Sequence, residues 1–210
     1  MIIQCDFDGT IIRNNLSLLL REHFVHDNWR KIENDYLSGY LTVEQSNKLQ
    51  YALIKEPKER LQEFVRQHIE VRAGFLEFVN YCQDAGIPII IVSSGLDFYI
   101  ETVLIQVDMS NLELYCGKTF FGKDGISVSY QDPEGSLINE GFKWRYFTWL
   151  KKRGGSVIYI GDGLSDLEVA RSADHVFATG HLARLLKSES IPHSVFSDFH
   201  QVLHQVRLLR

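Results

Sequence analysis

The chain has 210 residues, 45% of them hydrophobic, with 22 Lys and Arg against 27 Asp and Glu for a net charge of −5. That length and apolar content suffice for a substantial core, and the lack of a basic block argues against nucleic acid as a partner. Apolar runs such as 87–92 fall far short of the ~20 residues that span a bilayer. The chain enters its first strand at once, so no leader is expected. Cys5, Cys82 and Cys116 are too few for a disulfide framework, and the cytoplasm is the expected compartment.

Residues 2–6 read as a buried strand that stops abruptly at Asp6-Phe7-Asp8-Gly9-Thr10. Two acids two residues apart share a strand face at about 7 Å and can hold a hard cation between them. One of them could attack while the other moves a proton. The plainer reading is an Asp-Gly turn with an incidental second acid. Residues 14–70 carry only helical patterns, over 16–24, 29–37, 43–53 and 58–68, with a capping box starting at Thr42 and Pro57 opening the last helix. A single helix is enough for a crossover between parallel strands, so four of them predict an inserted bundle.

Helix 73–85 leads into strand 87–92, the most apolar of the chain, which ends in Ser93-Ser94-Gly95 ahead of helix 96–107. Hydroxyls there suit a phosphate oxygen, or serve simply as helix caps. A short strand at 112–116, a hairpin over 118–130 on Asp124-Gly125, and a loop at 131–136 follow. Helix 142–152 begins with Lys143, 19 residues before Asp162. Lys143 could neutralise phosphate, or be a solvated helix charge. The aromatic residues of that helix, Phe142 to Trp149, read as packing. Strand 156–160 ends in Gly161-Asp162-Gly163-Leu164-Ser165-Asp166, a second acidic strand end. Parallel strands end on one sheet edge, so these acids would meet Asp6 and Asp8 there. Carboxylates converging without Cys or His imply a divalent cation, Mg²⁺ before Zn²⁺. The eight histidines lie outside these motifs without zinc-like spacing; His181 alone falls near the expected rim. Helix 164–171, strand 175–178, helix 181–187, strand 194–196 and helix 198–208 complete an alternating α/β pattern.

Taken in order, Asp6-Phe7-Asp8-Gly9-Thr10, Ser93, Lys143 and Gly161 to Asp166 resemble the four motifs of the haloacid dehalogenase-like hydrolases, across nearly the whole chain. Gly39 to Ser46 and Val92 to Asp97 resemble the phosphoserine phosphatase branch with its helical cap. Leu96-Asp97-Phe98 and the lysine–aspartate spacing are similar to the methionine-salvage phosphatase acting on 2-hydroxy-3-keto-5-methylthiopentenyl 1-phosphate. Two departures stand against that last likeness: Ser94 replaces a glycine, and a cysteine-rich insert is missing.

The resemblance implies a Rossmann-like, doubly wound parallel sheet core (1–13 and 71–210), a four-helix cap (14–70) and a small hairpin. It implies an Mg²⁺-dependent phosphatase acting on a small phosphorylated metabolite, as monomer or homodimer, without nucleic acid or membrane. Asp6 would be the nucleophile that becomes an aspartyl phosphate, and Asp8 the acid/base that also gives its backbone carbonyl to the metal. Thr10 would orient Asp8, Ser93 would hold the phosphoryl group with Ser94 and Gly95 beside it, and Lys143 would neutralise it. Asp162 would complete the metal ligands, with Asp166 behind it holding Lys143 or the metal's water. Asn15 and Gln50 occupy the positions where phosphoserine phosphatase has its glutamate and its cap arginine, which disfavours phosphoserine. Specificity is expected around Asn14, Asn15, Tyr40, Val43 and Gln50. Phosphoserine phosphatase proper, a phosphotransfer mutase and a non-catalytic binding protein are the alternatives.

Overall fold

A computed structural model describes residues 1–26, 28–153 and 155–209. Its centre is β1 (Ile2–Cys5), flanked in parallel by β2 (Ile89–Leu96) and β6 (Val157–Gly161), with Ile3 opposite Ile89 and Cys5 opposite Ile160. These strands are mostly apolar because helices cover both their faces; every residue of β2 and β6 is buried. The full order is β5-β4-β3-β2-β1-β6-β7-β8, parallel from β3 (Glu113–Gly122) through β7 (His175–Ala178) to β8 (Ser194–Val195). Two antiparallel strands, β4 (Gly125–Gln131) and β5 (Leu137–Ile138), extend one edge.

Four consecutive helices follow β1: α1 (Leu16–Phe24), α2 (Trp29–Leu37), α3 (Val43–Tyr51) and α4 (Lys58–Gln67). An isolated antiparallel bridge between Ile12 and Val71 closes the ends of this segment together. The expected capping box is present: Thr42 accepts from the Gln45 amide while the Gln45 side chain accepts from the Thr42 amide. Buried polar groups join α3 to the sheet and to the helix that starts at Phe142. Asn47 donates to the Ser94 carbonyl and the Tyr130 hydroxyl, both at 2.8 Å, and Glu44 accepts from the Phe142 amide at 2.9 Å.

The remaining helices are α5 (Phe75–Asp84), α6 (Asp97–Gln106), α7 (Phe142–Lys152), α8 (Leu167–Ala170, after a 3₁₀ turn at Leu164–Asp166), α9 (Gly180–Ser188) and α10 (Phe199–Leu208). Among the described residues, no helix is long and apolar enough to cross a membrane.

Several boundaries differ from the sequence reading: β5 falls where no strand is expected, and helix 164–171 opens as a 3₁₀ turn. Strand β2 runs on through Ser93, Ser94 and Gly95, so neither serine caps a helix; α6 starts only at Asp97. The expected short strand and first hairpin arm are one strand, β3, which pairs with β2 and then with β4. Gly117, which reads as a break, lets the strand pass under its neighbours. A Cβ there would come within 2.6 Å of Leu96 and 2.9 Å of Tyr130.

Candidate active site

The carboxyl ends of β1, β2 and β6 meet at one sheet edge, where the strand order reverses about β1. Strand β1 stops at Cys5, so Asp6 and Asp8 both sit in the turn beyond it rather than on a shared strand face. The Asp6 amide still donates to the Ile160 carbonyl at 2.9 Å, which fixes the start of that turn. Gly9 then adopts a φ of +71°, and a Cβ on it would lie 2.2 Å from Asp162 Oδ2. Glycine is what allows the β6 acid to close on the β1 turn. Buried Arg72 clamps the same turn by donating to the Gly9 and Thr10 carbonyls, and to Ser197 at 2.9 Å.

Carboxylate oxygens of Asp6, Asp162 and Asp166 all lie within 4.8 Å of one another. Lys143 Nζ stands between two of these acids, 2.8 Å from Asp6 Oδ1 and 2.5 Å from Asp166 Oδ1, and donates to Ser165 at 3.2 Å. Gln4, buried on β1, donates to the Lys143 carbonyl at 3.1 Å and so ties α7 to the central strand. The lysine is 4% exposed, which disposes of the solvated-charge reading. Burial works against its charge, but Asp166 and Asp6 outweigh that and raise its pKa.

Asp166 has no exposed surface and all its bonding is internal: Lys143, the Tyr159 hydroxyl at 2.5 Å, and the Asp162 and Gly163 amides at 2.9 and 2.8 Å. It holds the loop and the lysine from behind. Asp6 and Asp162 are pushed well up from the usual carboxylate range, first by burial and then by Asp166. Three acids around one lysine leave an excess of buried negative charge, and an all-oxygen donor set fits a hard divalent cation.

Asp8 points its carboxylate elsewhere. Oδ1 accepts from the Leu16 amide at the head of α1 (2.8 Å), and Oδ2 from the Tyr99 hydroxyl (2.5 Å). Burial raises its pKa while the Tyr99 and Leu16 bonds pull it back down. Gly95 makes room for this contact, since a Cβ there would lie 2.2 Å from the Tyr99 oxygen. Ser93 Oγ accepts from the Gly95 amide at 3.1 Å, and buried Ser94 Oγ has no partner.

A cavity of about 200 Å³ opens over these groups, lined by Asp6, Asp8, Ser93, Ser94, Gly95, Lys143 and Asp162, with His181, Asn15 and Val43 also on its wall. Other expected residues lie elsewhere. Thr10 is buried and donates to Asp162 Oδ1 at 3.3 Å, so it orients that acid and not Asp8. Gln50 is fully buried behind the wall, donating to Glu33 at 2.8 Å, because α3 turns Ser46 and Asn47 to the cavity instead. Asn14 donates to the His68 carbonyl, and Tyr40 is 81% exposed; neither lines the cavity.

Sequence reasoning missed Tyr99, Arg21, Glu33 and Tyr36 on that wall. A faint signal existed in Ser17 and Arg21, polar residues four apart within an otherwise leucine-rich helix.

The haloacid dehalogenase-like hydrolase family model matches residues 3–171. A Brevibacillus brevis protein named 2-hydroxy-3-keto-5-methylthiopentenyl-1-phosphate phosphatase is 29% identical over 207 residues, covering 97% of this chain and 93% of the relative. The Bacillus pumilus protein of that name is also 29% identical, over 94% of this chain and 87% of its own. Among solved structures, a phosphoserine phosphohydrolase-like protein from Francisella tularensis superposes with a TM-score of 0.71 at 23% identity, covering 98% and 99% of the two chains. A substrate-bound phosphoserine phosphatase complex gives 0.71 at 19% identity, over 97% of each chain. With the family model spanning residues 3–171, and with Asp6, Asp162, Asp166 and Lys143 gathered at one sheet edge, this chain belongs to the haloacid dehalogenase-like hydrolases.

Proposed function

We propose that the protein hydrolyses a small phosphorylated metabolite in two steps through a covalent aspartyl phosphate on Asp6. The observation that carries this reading is the division of labour between two acids over one cavity: Asp6 beside Lys143, and Asp8 held away from it by Leu16 and Tyr99. In the first step an Asp6 carboxylate oxygen attacks phosphorus and the phosphorus–ester oxygen bond breaks. Asp8, held partly toward its neutral form by burial, gives its proton to the departing alkoxide. In the second step Asp8, now ionised, takes a proton from water as that water attacks the phosphoryl group, returning free Asp6 and inorganic phosphate.

Lys143 pulls Asp6 toward its ionised form, against burial and Asp166, and offsets the charge of the phosphoryl oxygens, toward which the Ser93 and Ser94 hydroxyls can donate. Mg²⁺ fits the donor set and would be held by the Asp6 and Asp162 carboxylates with the Asp8 carbonyl; when bound, it supplies positive charge against phosphate. Asp166 serves behind them, since all of its acceptor capacity is already engaged.

Residues 14–70 form the cap in this reading, hinged where Ile12 bridges Val71, and exclude water from the phosphoryl group. The relatives named for 2-hydroxy-3-keto-5-methylthiopentenyl 1-phosphate make that ester one member of the panel to be assayed. Purified protein with Mg²⁺ should release phosphate from at least one small phosphomonoester, and Asp6→Asn should abolish that release. Activity of Asp6→Asn above about a thousandth of wild type would overturn the covalent role.

A further inference from the structure

The chemistry above leaves a charged pair on the cavity wall unused. Arg21 from α1 and Glu33 from α2 line the same space as Asp6, Asp8 and Ser93. Arg21 is only 5% exposed. Its Nη1 donates to Ser17 Oγ at 2.6 Å, Nη2 stands 3.5 Å from Glu33 Oε2, and the guanidinium lies 5.7 Å from the Trp29 ring centre. Its Nε is buried without any partner. Gln50 donates to the same Glu33 oxygen at 2.8 Å and anchors that carboxylate. Nε is closed off from the cavity, so a ligand meets Arg21 and Glu33 through the polar surface they give its wall.

The placement says which part of a substrate these groups meet. Leu16 donates to Asp8, the acid assigned to the leaving oxygen, and Arg21 follows five residues on along the same helix. Its guanidinium reaches back along the helix to Ser17, the residue after Leu16, so the charged head stands near the start of α1, on the Asp8 side of the cavity. It therefore meets the leaving group, on the side of the ester oxygen that Asp8 serves. The charges of Arg21 and Glu33 cancel, so a ligand bringing a lone carboxylate or a lone ammonium would leave one charge unpaired in a desolvated wall. An uncharged hydroxyl or carbonyl oxygen accepts from Arg21, and a hydroxyl also donates to Glu33, with no net charge introduced. A purely apolar tail would cover the polar surface of Arg21 and Glu33 on the wall without giving it a partner.

We infer that Arg21 and Glu33 select a short, uncharged, hydroxylated leaving group, making the substrate a polyol or hydroxy-carbonyl monophosphate. This rests on the phosphatase reading above. The test compares kcat/KM for glycerol 3-phosphate and n-propyl phosphate with Mg²⁺, adding phosphoglycolate and O-phosphoserine as carboxylate and zwitterion. Wild type should prefer glycerol 3-phosphate to n-propyl phosphate by roughly tenfold or more, because polar sites discriminate strongly against analogues lacking their partner. In Arg21→Leu, and again in the partly exposed Glu33→Leu, that ratio should fall to within about twofold. The ratio separates recognition from a general structural loss, and the wild-type value alone decides the matter if both variants misfold. A wild-type ratio near one, a ratio unmoved in a folded variant, or preference for phosphoglycolate or phosphoserine over glycerol 3-phosphate overturns the inference and leaves the phosphatase reading standing. Hydrolysis of no phosphomonoester at all removes both.

Discussion

Lys143→Met offers a quantitative probe of the buried charge cluster. The lysine is 4% exposed and lies 2.8 Å from Asp6 and 2.5 Å from Asp166, themselves 5% and 0% exposed. Methionine roughly matches its stem but leaves two buried carboxylates facing each other without their cation. Breaking a buried pair in this way costs about 3–5 kcal/mol. For a chain of this length each kcal/mol lowers the melting temperature by about 2–4 °C, so a fall of roughly 6–20 °C is expected. The loss has an upper limit, because the acids can take up protons instead of remaining charged. It should therefore be largest near pH 8 with chelator present and shrink toward pH 5. Adding Asp166→Asn removes one of the two stranded charges and should restore at least half of the lost stability. Thermal unfolding followed by circular dichroism measures all of this. A Lys143→Met protein melting within about 2 °C of wild type at pH 8, in chelator, would refute the claim that Lys143 holds the acids together.

Three further expectations follow from the same geometry. Asp6 and Asp162 have folded pKa values above their unfolded ones, so the metal-free fold binds more protons and loses stability as pH rises above the ordinary carboxylate range. Mg²⁺ competes with those protons, and its melting-temperature increment should grow from pH 6 to pH 8; equal increments would contradict this. Gly9→Ala places a Cβ 2.2 Å from Asp162 at a positive φ, so it should weaken Mg²⁺ activation, with the half-saturating Mg²⁺ rising several-fold in a titration of activity. Tyr99→Phe removes a donor that stabilises ionised Asp8, so the limb of the pH–kcat profile that reports Asp8 should move to higher pH; an unmoved profile would separate Tyr99 from the acid/base.

Most chemistry-bearing residues are legible because they sit at an abrupt change in the chain, where an apolar run gives way to acid, hydroxyl or glycine. Asp6, Asp8, Ser93 and Asp162 read in this way, and parallel strand ends bring them onto one edge, whereas Lys143 reads only as a cation at a helix head, 19 residues before Asp162. The helices of 14–70 were likewise visible from their apolar spacing and from the Thr42 capping box. What escaped depends on how elements lie against one another. Arg21 and Glu33 meet by reaching across from two different helices, a relation that no local pattern encodes. Gln50 was assigned by counting along the chain, whereas the rotation of α3 puts it behind Glu33. Thr10 lies close to Asp8 in sequence yet bonds Asp162, which is 152 positions away. Gly117 reads as an interruption until its neighbours Leu96 and Tyr130 are in place.

The most direct test of the mechanism is a chemical search for the phosphorylated enzyme. Wild-type protein turning over a hydrolysable phosphomonoester with Mg²⁺ is quenched in acid, reduced with borohydride, digested and sequenced by mass spectrometry. The account predicts that Asp6 alone is converted to homoserine, in a substrate-dependent amount that disappears in Asp6→Asn. Turnover with no reduced aspartate, or with the label on Asp8 or Asp162, would contradict it.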